Sequence, residues 1–259
     1  MKRGTSPLIV SLPHSGTALG PFASRMTEIA QQNADCDWHL PTLYSFLYLD
    51  DATVLRAKYS RYVIDLNRDP TGKSLYPGQN VTELCPTTTF DNSPIYIAGQ
   101  QPTEAEIETR IDQYWVPYHD ALQAEISRVK DMFGFALLWD AHSVRSCVPR
   151  FFEGTLPDLN FGTNDNQTCD PALVNRVLDS ATQLKGYETV LNGRFKGGYI
   201  TRTYGDPRNN VHALQLELSQ ATYMKETYPY NYLPMKAEVI SKTLASALCT
   251  MQNWKPAGA

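Results

Sequence analysis

A chain of 259 residues that is 42% hydrophobic and 19% charged, with four tryptophans and fifteen tyrosines spread along it, carries enough apolar surface to build a large core, which excludes a disordered segment. Its net charge of −4 and pI near 5.7 exclude nucleic acid as the main partner, because a broad acidic surface repels phosphates. No apolar run reaches membrane-spanning length, MKRGTSPLIVSLPHSG lacks the apolar stretch of a signal peptide, and the five scattered cysteines contain no CxxC pair; a cytoplasmic protein with reduced thiols and no membrane contact is expected.

Taken in order, Leu8–Leu12 is a short apolar run that reads as a buried strand and leads into Pro13-His14-Ser15-Gly16. Asp35-Cys36-Asp37-Trp38-His39 is the densest cluster of ligand-type residues; it reads equally as the cap of a helix over Leu40–Leu47. Thr53–Ala57 and Tyr62–Leu66 are further strands, the second ending in Asn67-Arg68. Asp69–Gln101, rich in Pro, Gly, Thr and Asn, has no sustained period, and so long an irregular stretch is expected to form a wall or a lid. Thr103-Glu104-Ala105-Glu106 is a capping box. It opens a helix with Ile107, Ile111, Tyr114, Tyr118, Leu122, Ile126, Val129 and Phe133 on one face. Gly134 ends that helix and Pro117 should kink or split it. The strand Ala136–Trp139 leads into Asp140-Ala141-His142-Ser143, and Asp170-Pro171 opens a second helix ending before Gly186. After a second irregular stretch, Asn192–Asn210, come the strand Ala213–Leu218 and a third helix from Pro234 to Gln252. Strands alternate with helices and neither repeat nor linker intervenes, so one α/β domain over residues 1–259 is expected, its sheet covered on both faces.

The chemistry-bearing residues follow the apolar runs. In open α/β sheets such positions line the crevice at the carboxyl ends of the strands. Neutral imidazole is the commonest metal ligand, so His14 and His142 form a candidate metal pair, with Asp140 able to fix the His142 tautomer. Glu217 shares one face of its strand with Gln215, opposite three leucines. A carboxylate there is costly without a task, and a general base beside a metal-activated water is one. Arg68, after Asn67, suits a substrate carboxylate through its planar fork. Arg61, Arg145, Arg194 and Arg202 add cations that point to a small anionic substrate. GxSxG, GxGxxG, Walker and HExxH patterns are absent, and Ser15 and Ser143 beside their histidines do not make a triad.

Together PHSGT (13–17), DCDWHLPTLY (35–44), SRYVIDLNR (60–68), LLWDAHSVRS (137–146), NGRFKGGYITRTYGDP (192–207) and VHALQLELSQATYM (211–224) resemble, in order, the N-formylglutamate amidohydrolase (deformylase) family, and more distantly the zinc carboxypeptidases. The resemblance implies a three-layer α/β/α fold around a mixed sheet, phosphorylase/hydrolase-like. It implies a zinc site, open to other divalent transition metals, with His14, His142 and Asp37 (or Asp35) as ligands. The carboxypeptidase pattern has a Glu three residues after the first His, where Thr17 stands here. It further implies Glu217 as the catalytic carboxylate and Asn67-Arg68 as the pair that holds a substrate carboxylate. A substrate with two carboxylates needs at least two basic groups: Arg68 first, also as an oxyanion stabiliser and so a catalytic group, followed by Arg61, Arg194 and Arg202. The implied reaction is hydrolysis of N-formyl-L-glutamate in histidine degradation; a zinc amidohydrolase for another N-acyl acidic amino acid and a non-catalytic dicarboxylate binder are the alternatives.

Overall fold

The computed structural model describes residues 1–48, 51–74, 78, 80–183 and 186–258. Its elements are β1 (Leu8–Leu12), α1 (Glu28–Gln31), α2 (Leu40–Leu43), β2 (Thr53–Arg56), α3 (Glu104–Arg110), α4 (Val116–Phe133), β3 (Ala136–Val144), β4 (Leu159–Gly162), α5 (Pro171–Thr182), β5 (Thr189–Leu191), α6 (Tyr199–Tyr204), β6 (Val211–Ser219) and α7 (Pro234–Gln252). The strands form one sheet in the order β2-β1-β3-β6-β4-β5. β2, β1, β3 and β6 run parallel, whereas β4 is antiparallel to β6 and carries β5 parallel beside it. The sheet is therefore mixed, and the α/β architecture is the one expected.

Alternation along the strands sorts side chains onto two faces. Leu8, Val10 and Leu12 of β1, Leu137, Trp139 and Ala141 of β3, and Leu214, Leu216 and Leu218 of β6 pack under α5 and α7. On the other face Ile9, Leu138 and Ala213 meet Leu122, Ile126 and Val129 of α4 and Ile200 of α6. Further along that second face the strands turn polar, at Ser11, Asp140, His142, Gln215 and Glu217, all buried.

Several expectations are met and several are corrected. Thr103 caps α3 by accepting from the Glu106 amide, but the Glu106 carboxylate takes Arg25 and Arg110 instead of reaching back. The long helix is split, by a π-helical turn at Ile111–Trp115, and Pro117 sits in the first turn of α4, where its missing amide costs nothing. Tyr62–Leu66 is not a strand. It forms turns, with the Val63 amide on Ser60 O and the Asp65 amide on Leu84 O. Its apolar residues are buried among α3, α4 and loop side chains rather than in the sheet, so burial alone produced the strand-like pattern. β3 runs five residues past Trp139, and His142 lies within the strand. β4 and β5 were not expected, being four and three residues long, too short for a periodic signal. Residues 75–77 and 79 lie outside the described residues, and with them part of the Asp69–Gln101 stretch expected as a wall or lid. The five cysteines are free thiols, and among the described residues no helix is long and apolar enough to cross a membrane.

Candidate active site

The polar half of the second sheet face is assembled from four stretches of chain. β1 delivers His14 two residues past its end, and β3 delivers Asp140 and His142. Register places His142 opposite Glu217 and Asp140 opposite Gln215 on β6. The loop bearing Asp37 is tied down by backbone: the Asp37 amide donates to His14 O, and Gln220 Nε2 donates to Cys36 O.

Three ligand-type groups converge there. His14, Asp37 and His142 each offer an atom within 4.8 Å of the others, and all are buried. The Nδ1 atoms of the two histidines are 3.1 Å apart, and Asp37 Oδ2 is 3.4 Å from His142 Nδ1. Neither oxygen of Asp37 has a hydrogen-bond partner although the residue is 1% exposed. A buried carboxylate in that state is costly unless a cation occupies the space before it. The Asp37 side chain caps no helix, so the capping reading of its cluster does not hold for this residue.

The far nitrogens of both rings are held in turn. His14 Nε2 donates to Asp65 Oδ1 at 2.6 Å, which leaves its Nδ1 lone pair facing the centre. His142 Nε2 lies 3.2 Å from Asp140 Oδ2 and 2.9 Å from Asn67 Nδ2. Asn67 Oδ1 accepts from the Ile200 amide, so its Nδ2 is a donor and meets His142 Nε2 when that nitrogen carries no proton. A proton on Nε2 would turn to Asp140 Oδ2 and leave the Nδ1 lone pair facing inward. Asp140 itself is fixed by the hydroxyls of Ser11 and Thr201. These donors, two imidazoles and one carboxylate with carboxylates behind the rings, fit a zinc ion or a similar divalent metal.

The electrostatics describe the same centre. Burial works to lower the His142 pKa, yet the carboxylates of Asp140, Asp37 and Glu217 hold it well above its ordinary value. The site favours positive charge there. His14 is lowered, first by burial and then by the Arg61 cation. Asp65 is held well below the usual carboxylate range, because Arg68, His14 and Arg61 outweigh its burial. Glu217 is pushed up to about 8, chiefly by burial, with Asp37 and Asp140 adding to the shift and His142 and Arg61 opposing it.

A cleft opens beside the histidines, lined among others by Arg61, Asn67, Arg68, Arg194, Gln215 and Glu217, with Val144, Phe90, Phe151 and Phe195 as apolar wall. Arg61 is buried, pairs with Asp65 Oδ2 at 2.6 Å and has no partner for Nε. Arg68 donates to Thr82 O and Oγ1, and Arg194 Nε to Phe151 O. Arg202, on α6, donates to Gly197 O and is not part of this lining. Arg145 pairs with Asp91 and lies 3.8 Å from Asp35. Asp35 is not part of the ligand group; it accepts from Tyr62 Oη and the Phe90 amide and so braces the loop. His39 turns away to Tyr230 O. Ser15 bonds Leu12 O and Ser143 receives Tyr223 Oη, so both serines are structural. Sequence reasoning passed over Asp65, hidden in the false strand Tyr62–Leu66, and Gln215.

A family model described as N-formylglutamate amidohydrolase matches residues 6–224. The chain belongs to the N-formylglutamate amidohydrolase family. A protein of Pseudomonas putida named N-formylglutamate deformylase is 46% identical over 250 residues, covering 95% of this chain and 93% of its own. Its namesake from Pseudomonas aeruginosa is 47% identical over 254 residues, covering 98% and 95%. The crystal structure of an N-formylglutamate amidohydrolase from Ralstonia eutropha matches with a TM-score of 0.79 at 26% identity, over 96% of this chain and 94% of that one. A gene product of Agrobacterium tumefaciens shares the fold, with a TM-score of 0.67 at 15% identity over 96% and 89%.

Proposed function

We propose that this amidohydrolase-family chain is a metal-dependent N-formylglutamate deformylase, one catalytic domain over residues 1–259 that converts N-formyl-L-glutamate and water to formate and L-glutamate. The observation that carries the metal is the buried Asp37 carboxylate, which accepts no hydrogen bond and lies against the two imidazoles, with Oδ2 3.4 Å from His142 Nδ1. His14, Asp37 and His142 would hold the ion, zinc being the best match to the donors. Bound there, it supplies a Lewis acid that activates water and polarises the formyl carbonyl.

The protein side chains do the rest. Glu217, opposite His142 in the register, takes a proton from the attacking water and returns it to the departing amine. Its raised pKa suits a group that must both accept and release a proton near neutrality. Arg61, Arg68 and Arg194, all in the cleft lining, supply positive charge for the oxyanion and the substrate carboxylates. Asp65 and Asp140 keep the two rings in the tautomer that leaves Nδ1 free. A place in histidine degradation and a cytoplasmic location go with this reading through the family resemblance. The test is formate release from N-formyl-L-glutamate: the purified protein turns over, a strong chelator stops it and zinc restores it. Glu217→Gln lowers kcat by about 10³-fold or more while metal still binds. Turnover that survives both the chelator and this substitution contradicts the proposal.

A further inference from the structure

Two buried carboxamides line the cleft, and they differ in what they have left to offer. Asn67 is engaged at both ends: its Oδ1 accepts from the Ile200 amide and its Nδ2 faces His142 Nε2. Gln215 is engaged at one. Its Oε1 accepts from the Gly198 amide at 2.6 Å, and an N–H there requires the oxygen end, which fixes the orientation of the carboxamide. The clamp is tight on the other side as well. Opposite Gln215 on β4 stands Gly162, where a Cβ would meet the Gly197 nitrogen at 2.6 Å, so the Phe195–Gly197 backbone, just before Gly198, presses onto the strand. Asp140, the Gln215 neighbour on β3, spends its carboxylate on Ser11, Thr201 and His142. The Gln215 Nε2 donor, on a residue only 3% exposed, is left with no protein acceptor among the described residues and belongs to the cleft lining.

We propose that Gln215 is a specificity-determining residue whose Nε2 donates to the side-chain carboxylate of the substrate, a reading that rests on the deformylase function above. Spacing chooses that carboxylate. Gln215 and Glu217 are one side-chain repeat apart on the same face, about 6.6 Å along the strand. In N-formyl-L-glutamate the side-chain carboxyl carbon is five bonds from the formyl carbon, about 6 Å when extended, whereas the α-carboxyl carbon is three bonds away and under about 4 Å. With the formyl carbon beside Glu217, the group that reaches Gln215 is the distal one. A donor that the protein leaves unpaired in the cleft disfavours substrates that shield it from water without supplying an acceptor.

The experiment compares kcat/KM for N-formyl-L-glutamate and N-formyl-L-glutamine in wild type, Gln215→Glu and Gln215→Met. The Gln215→Glu variant keeps an oxygen for the Gly198 amide but sets a like charge against the distal carboxylate; the Gln215→Met variant has no donor. The glutamate-over-glutamine preference falls at least tenfold in Q215E, carried mainly by KM for the dicarboxylate, and falls less in Q215M. If Q215E does not fold, the fall in Q215M decides. A preference unchanged within about twofold in the variants that fold assigns Gln215 to scaffolding only and overturns the proposal. Wild type that hydrolyses neither substrate contradicts the deformylase reading itself, a separate outcome.

Discussion

The two faces of the sheet use the same strands for opposite purposes. Toward α5 and α7, β1, β3 and β6 present mainly apolar side chains, with His212 against Trp254 and Ser143 under Tyr223 as the polar positions, and Trp139 sets its edge toward Phe161. Toward α4 they are apolar only at first, at Ile9, Leu138 and Ala213, and then carry Ser11, Asp140, His142, Gln215 and Glu217. Burying that second set costs desolvation at every position, offset only where partners are supplied. The contrast separates a face that stabilises from a face that is stabilised by it. A site with so many buried ionisable groups needs a rigid apolar layer one residue away on each strand.

The first way to break this comparison is to damage the supporting face. Trp139 is fully buried and donates to Tyr44 Oη; Trp139→Ala should cost about 3–5 kcal/mol in urea unfolding. The folded fraction should keep its metal. A loss below about 1 kcal/mol would mean that this face is not the stabilising one. The converse damage, Asp140→Asn, sharpens the contrast. It should leave the melting temperature of the metal-free protein nearly unchanged but weaken metal binding about 10- to 100-fold in a competition titration, because the His142 ring loses its carboxylate acceptor. Unchanged affinity would remove Asp140 from the site.

A smaller effect reports on the border between the two halves of the second face. His119 of α4 stacks on Trp115, donates from Nε2 to Leu66 O and accepts at Nδ1 from Tyr204 Oη, so it is held neutral. Burial lowers its pKa to about 4. Between that value and the ordinary one the unfolded chain binds a proton that the folded chain refuses, so stability falls as pH falls through this window. From about pH 7.5 to 5.5 the loss is about 1 kcal/mol. Denaturant titrations of His119→Gln should show that slope removed whatever the absolute stability; an unchanged slope would assign the pH dependence elsewhere.

Much of this was legible in the residues. His14 and His142 follow apolar runs, Glu217 alternates with leucines, and Pro and Gly mark the helix ends, because burial and periodicity are local signals. What was not legible depends on contacts far apart in sequence. Asp65 looked like the polar member of a strand; its role comes from His14, 51 residues away, and from a turn that only the packing of Tyr62, Val63 and Ile64 explains. Asp35 and Asp37 are indistinguishable as types, and only the fold sends one to Tyr62 and leaves the other facing the histidines. Arg202 was grouped with the cleft arginines by loop composition, yet α6 carries it to Gly197 O. Gln215 shares its face with Glu217 in the sequence pattern, but nothing local identifies it as clamped on one side only.

The claim that joins these observations is that His14, Asp37 and His142 hold a divalent metal. Asp37 offers the cleanest handle, because its carboxylate makes no hydrogen bond that a substitution would break. Elemental analysis of the purified protein should find about one equivalent of metal per chain, with zinc the expected ion. Asp37→Ala should fold, unfold at a similar or higher denaturant concentration in the metal-free state, and lose most of that metal on dialysis. A wild-type chain that takes up no metal when zinc is supplied, or a D37A variant that retains a full equivalent, would contradict the account.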